Sequence, residues 1–423
     1  MSGINSAYDG AMEKTRTAFM CTRILNAPFW AIFNMLPFIL YKDLHGTPLQ
    51  ITLMITLKPL VSIFSMYWSS WVGERRDRLL PNVICGSLIG YIPFFFFPFV
   101  DNAWFYVAAF GFYMMLYRGV MPGWMEILKI NIPGGVREKT FANGSALGYV
   151  GDAVLPFLLG WLLDNYFQAW RTIFPVAAFI SLIALIFQYR IPIHIEKAVS
   201  QTVEEYKISW KQALQPWRNS WGLIRSRPDF SRYLIGFMLG GSGLIIMQPA
   251  LPMFFVDILK LSYTEMAVAL TLCKGVGFVL TSSLWAQWMN RIDIYRFTGF
   301  VTCLAFIFPL ILMMSPLHIS CLYCAYIIYG IMQAGSELSW HLSGPIFAKN
   351  EDSSVFSTVN ILTVGIRGCI APPLGSLLCW YTNSIAIMAI GAFLCLLAMV
   401  SMFVFSSRTK SFKPDLADSS IAS

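Results

Sequence analysis

The chain has 423 residues, of which 57% are hydrophobic, 16% aromatic and only 12% charged, and its mean hydropathy is +0.62. Soluble domains carry about 25% charged residues, so half that share excludes an ordinary water-soluble fold and points to a bilayer. The formal net charge of +8 reads as a signal of membrane topology, not of nucleic-acid binding.

An apolar stretch of about 18 or more residues can cross the hydrocarbon core as a helix. Twelve such stretches fall near 19–40, 49–71, 80–100, 103–127, 142–163, 171–190, 231–256, 262–288, 297–314, 318–346, 355–380 and 383–406. The polar start, Met1 to Thr17, shows no signal-peptide cleavage pattern, so the first span is expected to stay in place. Lys and Arg crowd one set of connections, as in Arg75, Arg76 and Arg78 or Arg218, Arg225 and Arg227. The other set holds Lys42, Arg171 and Lys260. That asymmetry sets orientation. It predicts a multi-pass chain with both termini cytoplasmic, and the expected setting is a bacterial inner membrane and a monomer.

Taken in order, the first span offers Arg23, Asn26, Trp30 and Asn34 on one helical face. Such a face should turn away from lipid. Trp30 either stacks on a ring of a solute or packs in the core. The second span carries Lys58 in "TLKPLVSI", about ten residues from each end. That is roughly 15 Å at 1.5 Å per residue, farther than a lysine can snorkel. A charge at that depth costs about 2.5–3.5 kcal/mol on insertion scales, so it should face the protein interior or a water-filled cavity. Arg118 lies in the fourth span and Asp152 in the fifth. Gln248, beside Pro249 in the seventh, follows Gly240, Gly241 and Gly243, a run that suits either bending or close packing. Lys274 sits in the eighth span, in "TLCKGVGF". Gln333, Glu337 and His341 share one face of the tenth, and Arg367 lies in the eleventh. Glu337 and His341, one turn apart, could carry a proton or could simply make a polar contact, with Arg118 for example. Four central cations against two anions leave a surplus that an anionic or zwitterionic solute, backbone carbonyls or a deprotonated lysine could answer. Cys321 and Cys324 form a CxxC in an apolar helix and read as small hydrophobic residues.

The chain is written twice. "TLKPLVSI" returns as "TLCKGVGF", "MLPFIL" as "ALPMFF", "SSW" as "SSLW", and "FANGSALGYVGDAVLPFLLG" as "FSTVNILTVGIRGCIAPPLG", at offsets of 213 to 216 residues. Two halves with six spans each follow, 1–190 and 230–408. A connector occupies 191–229, and a disordered cytoplasmic tail is expected over 409–423. The connector's Trp210, Leu214, Trp217 and Trp221 recur at helical spacing among Lys207, Lys211 and Arg218. It is either an amphipathic helix on the inner leaflet or a plain tether.

Twelve spans, a six-plus-six repeat, a basic loop after the second span and a long central loop resemble the major facilitator superfamily, including bacterial members of it. The loop "GERRDRLL" keeps Gly73, Asp77 and Arg78 of that family's gating motif and lacks its second glycine and final basic residue. Arg118 in "LYRGVMPG" corresponds to the family's fourth-helix arginine. The resemblance implies an all-α membrane protein of two pseudo-symmetric six-helix bundles, working as a secondary transporter by alternating access, without a cofactor. It also implies that helices 1, 4, 7 and 10 line a central cavity. Lys58 and Arg367 would then lie on the facing helices 2 and 11, and Asp152 and Lys274 on helices 5 and 8, where they could pair across the halves or bind solute. The expected solute site is Lys58, Arg118, Lys274, Arg367, Asn26, Trp30, Asn34, Gln248 and Gln333. The expected proton site is Glu337, His341 and Asp152. The partners are a small solute, a proton or counter-ion, and the bilayer.

Rival functions find less support. Ser339, Ser343 and His341 could suggest acyl transfer, but the chain has no G-x-S-x-G, no HExxH, no metal-ligand cluster and no Walker A sequence. A non-transporting receptor or scaffold would not need charges at mid-depth.

Overall fold

The computed structural model describes residues 2–74, 78–192, 210–289, 291–348 and 353–408. Every regular element among them is helical. The first six spans are α1 (Ser2–Lys42), α2 (Pro48–Glu74), α3 (Leu79–Tyr91), α4 (Ala103–Asn131), α5 (Gly134–Asn165) and α6 (Trp170–Tyr189). A connector helix, α7 (Trp210–Ser226), follows. The seventh span is α8 (Pro228–Ile246) with the short α9 (Ala250–Met253), and the eighth is α10 (Tyr263–Ala267) with α11 (Lys274–Met289). Then come α12 (Ile294–Met313), α13 (Ile319–Ala348), α14 (Ser353–Tyr381) and α15 (Ser384–Arg408). Nine helices among the described residues are long and apolar enough to cross a membrane, and Pro48–Val61 and Val154–Asn165 are shorter apolar stretches. α1 starts well before its expected boundary because the polar segment ahead of the apolar run is helical too.

Two compact units divide the chain. The first is Met1–Val203 with Leu261–Thr271, and the second is Glu204–Lys260 with Leu272–Ser423. The expected tail, 409–423, and residues 193–209 of the connector lie outside the described residues.

The first unit is packed with rings. Phe29 is fully buried and lies 4.7 Å from Phe94, 4.8 Å from Tyr113 and 4.9 Å from Tyr91, centroid to centroid. The contacts to Phe94 and Tyr91 are edge-to-face, an arrangement that adds stability beyond the area buried. The ends of the helices are tied by polar bonds. Asn131 donates to Thr15 Oγ1 at 2.8 Å and to Pro192 O at 2.9 Å, and Gln188 donates to Thr22 Oγ1 at 3.0 Å.

The second unit has a ring cluster of its own around Phe230, Tyr233 and Phe347 and adds close approaches at small residues. An added Cβ on Gly243 would come within 2.5 Å of Gly391 O, one on Gly240 within 2.9 Å of Thr302, and one on Gly236 within 2.7 Å of Met402. The glycines of α8 therefore let its backbone approach α12 and α15, as membrane helices do where lipid offers no hydrophobic drive to associate. α8 is helical through all of them and gives way only at Met247–Pro249. The interruption beside Gln248 belongs to the proline, which has no N–H to continue the ladder.

Candidate functional site

In the first unit the polar face of α1 divides. Asn26 Oδ1 accepts a hydrogen bond from Tyr91 Oη at 3.2 Å. Trp30 meets Tyr117 at 4.8 Å and Phe33 at 5.4 Å, both edge-on. These two side chains are drawn into the ring packing. The Arg23 guanidinium lies over Phe19 at 5.2 Å, while Asn34 and Arg118 are exposed. Lys58 is also exposed, one residue before Pro59. Pro59 has no N–H, so the carbonyl of Ile55 loses its helical donor one turn from the lysine. Of the gating set, Gly73 is in the last turn of α2 and Arg78 is exposed just ahead of α3. Asp77 falls outside the described residues. So does the Asp152 side chain, and with it the expected Asp152–Lys274 pair.

In the second unit α11 and α13 cross at two glycines. A Cβ on Gly330 would sit 2.0 Å from Lys274 O, and one on Gly277 would sit 2.2 Å from Ile327 O. This crossing brings Lys274 into electrostatic range of Glu337, along with His341 on Glu337's own helix. Gln333 Nε2 reaches Glu337 Oε1 at 3.5 Å. Glu337 is half-buried and His341 exposed. Lys274 directly follows a π-helical segment, Val268–Cys273, a geometry that recurs at functional sites. Arg367 packs against α8 of its own unit. Its guanidinium fills a notch over Gly241, where an added Cβ would lie 1.7 Å from Nη1. Nη1 donates to Phe237 O at 3.2 Å, the group lies 5.8 Å from the Phe237 ring, and the buried Nε finds no acceptor among the described residues.

The serines that might have served a nucleophile are committed elsewhere. Ser339 Oγ bonds Thr298 Oγ1 at 3.2 Å, and Ser343 Oγ accepts from Asn360 at 2.8 Å. Both are fully buried, whereas His341 is exposed.

One constellation went unnoticed in the sequence. Asp164, at the end of α5, accepts from Tyr263 N at 2.7 Å, Thr264 N at 2.8 Å and Thr264 Oγ1 at 2.7 Å. It caps the first turn of α10 from outside, beside the helix's own capping box of Ser262 and Glu265. Gly160 allows the approach, since a Cβ there would lie 3.0 Å from Tyr263 O. Lys42 Nζ donates to Leu261 O at 3.3 Å and lies 4.3 Å from the Tyr263 ring centroid. Residues 261–271 of the eighth span thereby group with the first unit and the rest of that span with the second. The motif S-x-x-E at Ser262–Glu265 was the one local signal of this arrangement.

The sequence model described as Major Facilitator Superfamily matches residues 18–343. The chain belongs to the major facilitator superfamily. Solved members of the fold agree. The nucleoside transporter NupG superposes with a TM-score of 0.72 at 13% identity, over 94% of this chain and 100% of that one. A POT family transporter in complex with 5-aminolevulinic acid gives 0.71 at 12% identity, over 93% and 96%. A bacterial homolog of the human lysosomal transporter Spinster, inward-facing and unoccupied, gives 0.63 at 13% identity, over 95% and 97%. A comparison with curated proteins returns no match. This major facilitator chain is thus a multi-pass membrane transporter of a small solute, not an enzyme, with the twelve-helix, two-bundle fold.

Proposed function

We propose that the chain is a secondary carrier of a small anionic or zwitterionic organic solute, coupled to protons through Glu337. It would work in a bacterial inner membrane with both termini cytoplasmic, as the lopsided distribution of Lys and Arg supports. The observation that carries the reading is the α11–α13 crossing, which brings Lys274 and His341 within electrostatic range of Glu337. A lysine at that depth needs an anion, and two anions compete for it. When a solute carboxylate takes Lys274, Glu337 loses the cation that balances it, and a proton takes that place. Proton and solute anion then cross together with no net burial of charge. Arg367, whose Nε finds no acceptor among the described residues, supports a negatively charged solute group in the same unit. Lys58, Arg118, Asn34, Gln248 and Gln333 remain further contacts on this reading, and Gly73, Asp77 and Arg78 remain the cytoplasmic gate.

The test has two parts. A thermal-shift panel of metabolites on the purified protein should find stabilisers among carboxylates, because a ligand that binds only the native state raises its apparent stability. Glu337→Gln, a permanent mimic of the protonated form, should abolish uphill accumulation and keep solute exchange between equal concentrations. Accumulation by Glu337→Gln in response to an imposed pH gradient would remove Glu337 from coupling. Stabilisation by neutral solutes alone would remove the anion site.

A further inference from the structure

α7 is held to the second unit by one face. Ser220 is buried, and Leu223 and Ile224 pack against a cluster that includes Phe230, Phe347 and Phe356. Arg227, just past its end, pairs with Asp229 at 3.0 Å, donates to Phe347 O at 2.7 Å and lies over the Phe356 ring at 5.2 Å. Ser231 Oγ donates back to Ile224 O. These bonds commit Arg227 to structure.

The opposite face is a different surface. Arg218, Trp221, Gly222 and Arg225 recur at i, i+3, i+4 and i+7, and all four are exposed. Trp221 keeps 58% of its surface open, with the Arg225 guanidinium 5.2 Å from its ring centroid. No carboxylate among the described residues lies within ion-pair distance of Arg218 or Arg225. An exposed indole between two exposed arginines, on a helix already packed on its far side, calls for an environment that is apolar and anionic at once. The bilayer surface is such an environment. It is also close, because Arg227 alone separates α7 from α8, which opens the membrane-crossing segment Pro228–Ile258.

We propose that the stripe of Arg218, Trp221 and Arg225 is a docking face for anionic phospholipid headgroups. The indole sits at headgroup depth, and the two guanidinium groups take phosphate oxygens in the paired geometry that suits them. The inference rests on α7 and its attachment and is independent of the solute and of proton coupling.

Hydrogen exchange of the full-length protein in nanodiscs tests it. Amides within 210–226 should exchange more slowly in phosphatidylglycerol than in phosphatidylcholine, by about fivefold for each arginine, and high salt should narrow the gap. Arg218→Gln with Arg225→Gln should erase the lipid dependence and leave peptides of α15 unchanged. Gly222→Glu gives a second reading that does not threaten folding, because nothing lies within 4 Å of an added Cβ there. The carboxylate it places in the stripe should offset one arginine and cut the preference by about fivefold, while Gly222→Ala should keep it. Equal exchange in the two lipids would show that the stripe faces water or a protein partner and would overturn the proposal. So would a phosphatidylglycerol effect that survives the double arginine variant.

Discussion

Replacing Gly330 with alanine tests the crossing that assembles the candidate site. The new Cβ would lie 2.0 Å from Lys274 O, whereas ordinary contact begins at 3.4 Å. The obstacle is backbone, so no side chain can swing aside. α11 and α13 must therefore part by roughly 1.4 Å, the difference between those two distances. Overpacking of this sort costs about 1–3 kcal/mol, against at most about 1 kcal/mol regained because alanine favours a helix more than glycine does. The separation also draws Lys274 away from Glu337. Thermal unfolding of the purified protein in detergent should show a lowered midpoint, and proteoliposome uptake should fall further than the loss of folded protein explains. Gly277→Ala, 2.2 Å from Ile327 O, should act alike, and the pair should be non-additive because both wedge one interface. Gly148→Ala in α5, with nothing within 4 Å, is the control and should be neutral or mildly stabilising. A Gly330→Ala protein with unchanged midpoint and uptake would refute both the crossing and the placement of Lys274.

Asp164→Asn should weaken the cap on Tyr263 and Thr264 by about 1 kcal/mol, seen as about fivefold faster hydrogen exchange across 261–271. Exchange as slow as in the unaltered protein would mean that the capping box of Ser262 and Glu265 suffices alone. Gly241→Ala should expel the Arg367 guanidinium from its notch without changing any charge. Solute affinity measured by thermal shift should then drop several-fold while the midpoint without solute moves little, and an unchanged affinity would make Arg367 a packing residue. His341→Ala, at an exposed position, should cost little stability but shift the pH dependence of uptake. An unaltered pH profile would take His341 out of the proton path.

The fold was largely legible because hydrophobic length and an internal repeat are properties of the chain itself. Lys274 announced itself in the same way, since a cation inside an apolar run is costly wherever it lands. Its partner did not. The proximity of Glu337 depends on Gly277 and Gly330 allowing two backbones to touch, and neither glycine carries chemistry of its own. The inward course of Arg367 likewise depends on Gly241, more than a hundred residues away, having no side chain. The glycines of α8 fit bending and packing equally well on paper, and only their neighbours Thr302, Ala398 and Gly391 show the packing role. Asp164 escaped notice because a carboxylate at a helix end usually serves the solvent, and its donors lie 99 and 100 residues downstream.

The π-helical turn at Val268–Cys273 has a consequence for the chain's arithmetic. A turn closed by i→i+5 bonds holds one residue more than an α-turn over nearly the same rise. The eighth span therefore carries a spare residue at the place where it leaves the first unit and enters the second. Deleting one residue inside 268–273 would let that turn close as ordinary α-helix, with Asp164 still over the first turn of α10 and Lys274 still toward α13. The same deletion in the plain helix of α11 would rotate everything beyond it by about 100°, one residue's share of a 3.6-residue turn. Length in this span is thus forgiving at one turn and rigid elsewhere, and a deletion scan of folded yield along 263–289 should show a single gap in its intolerance there.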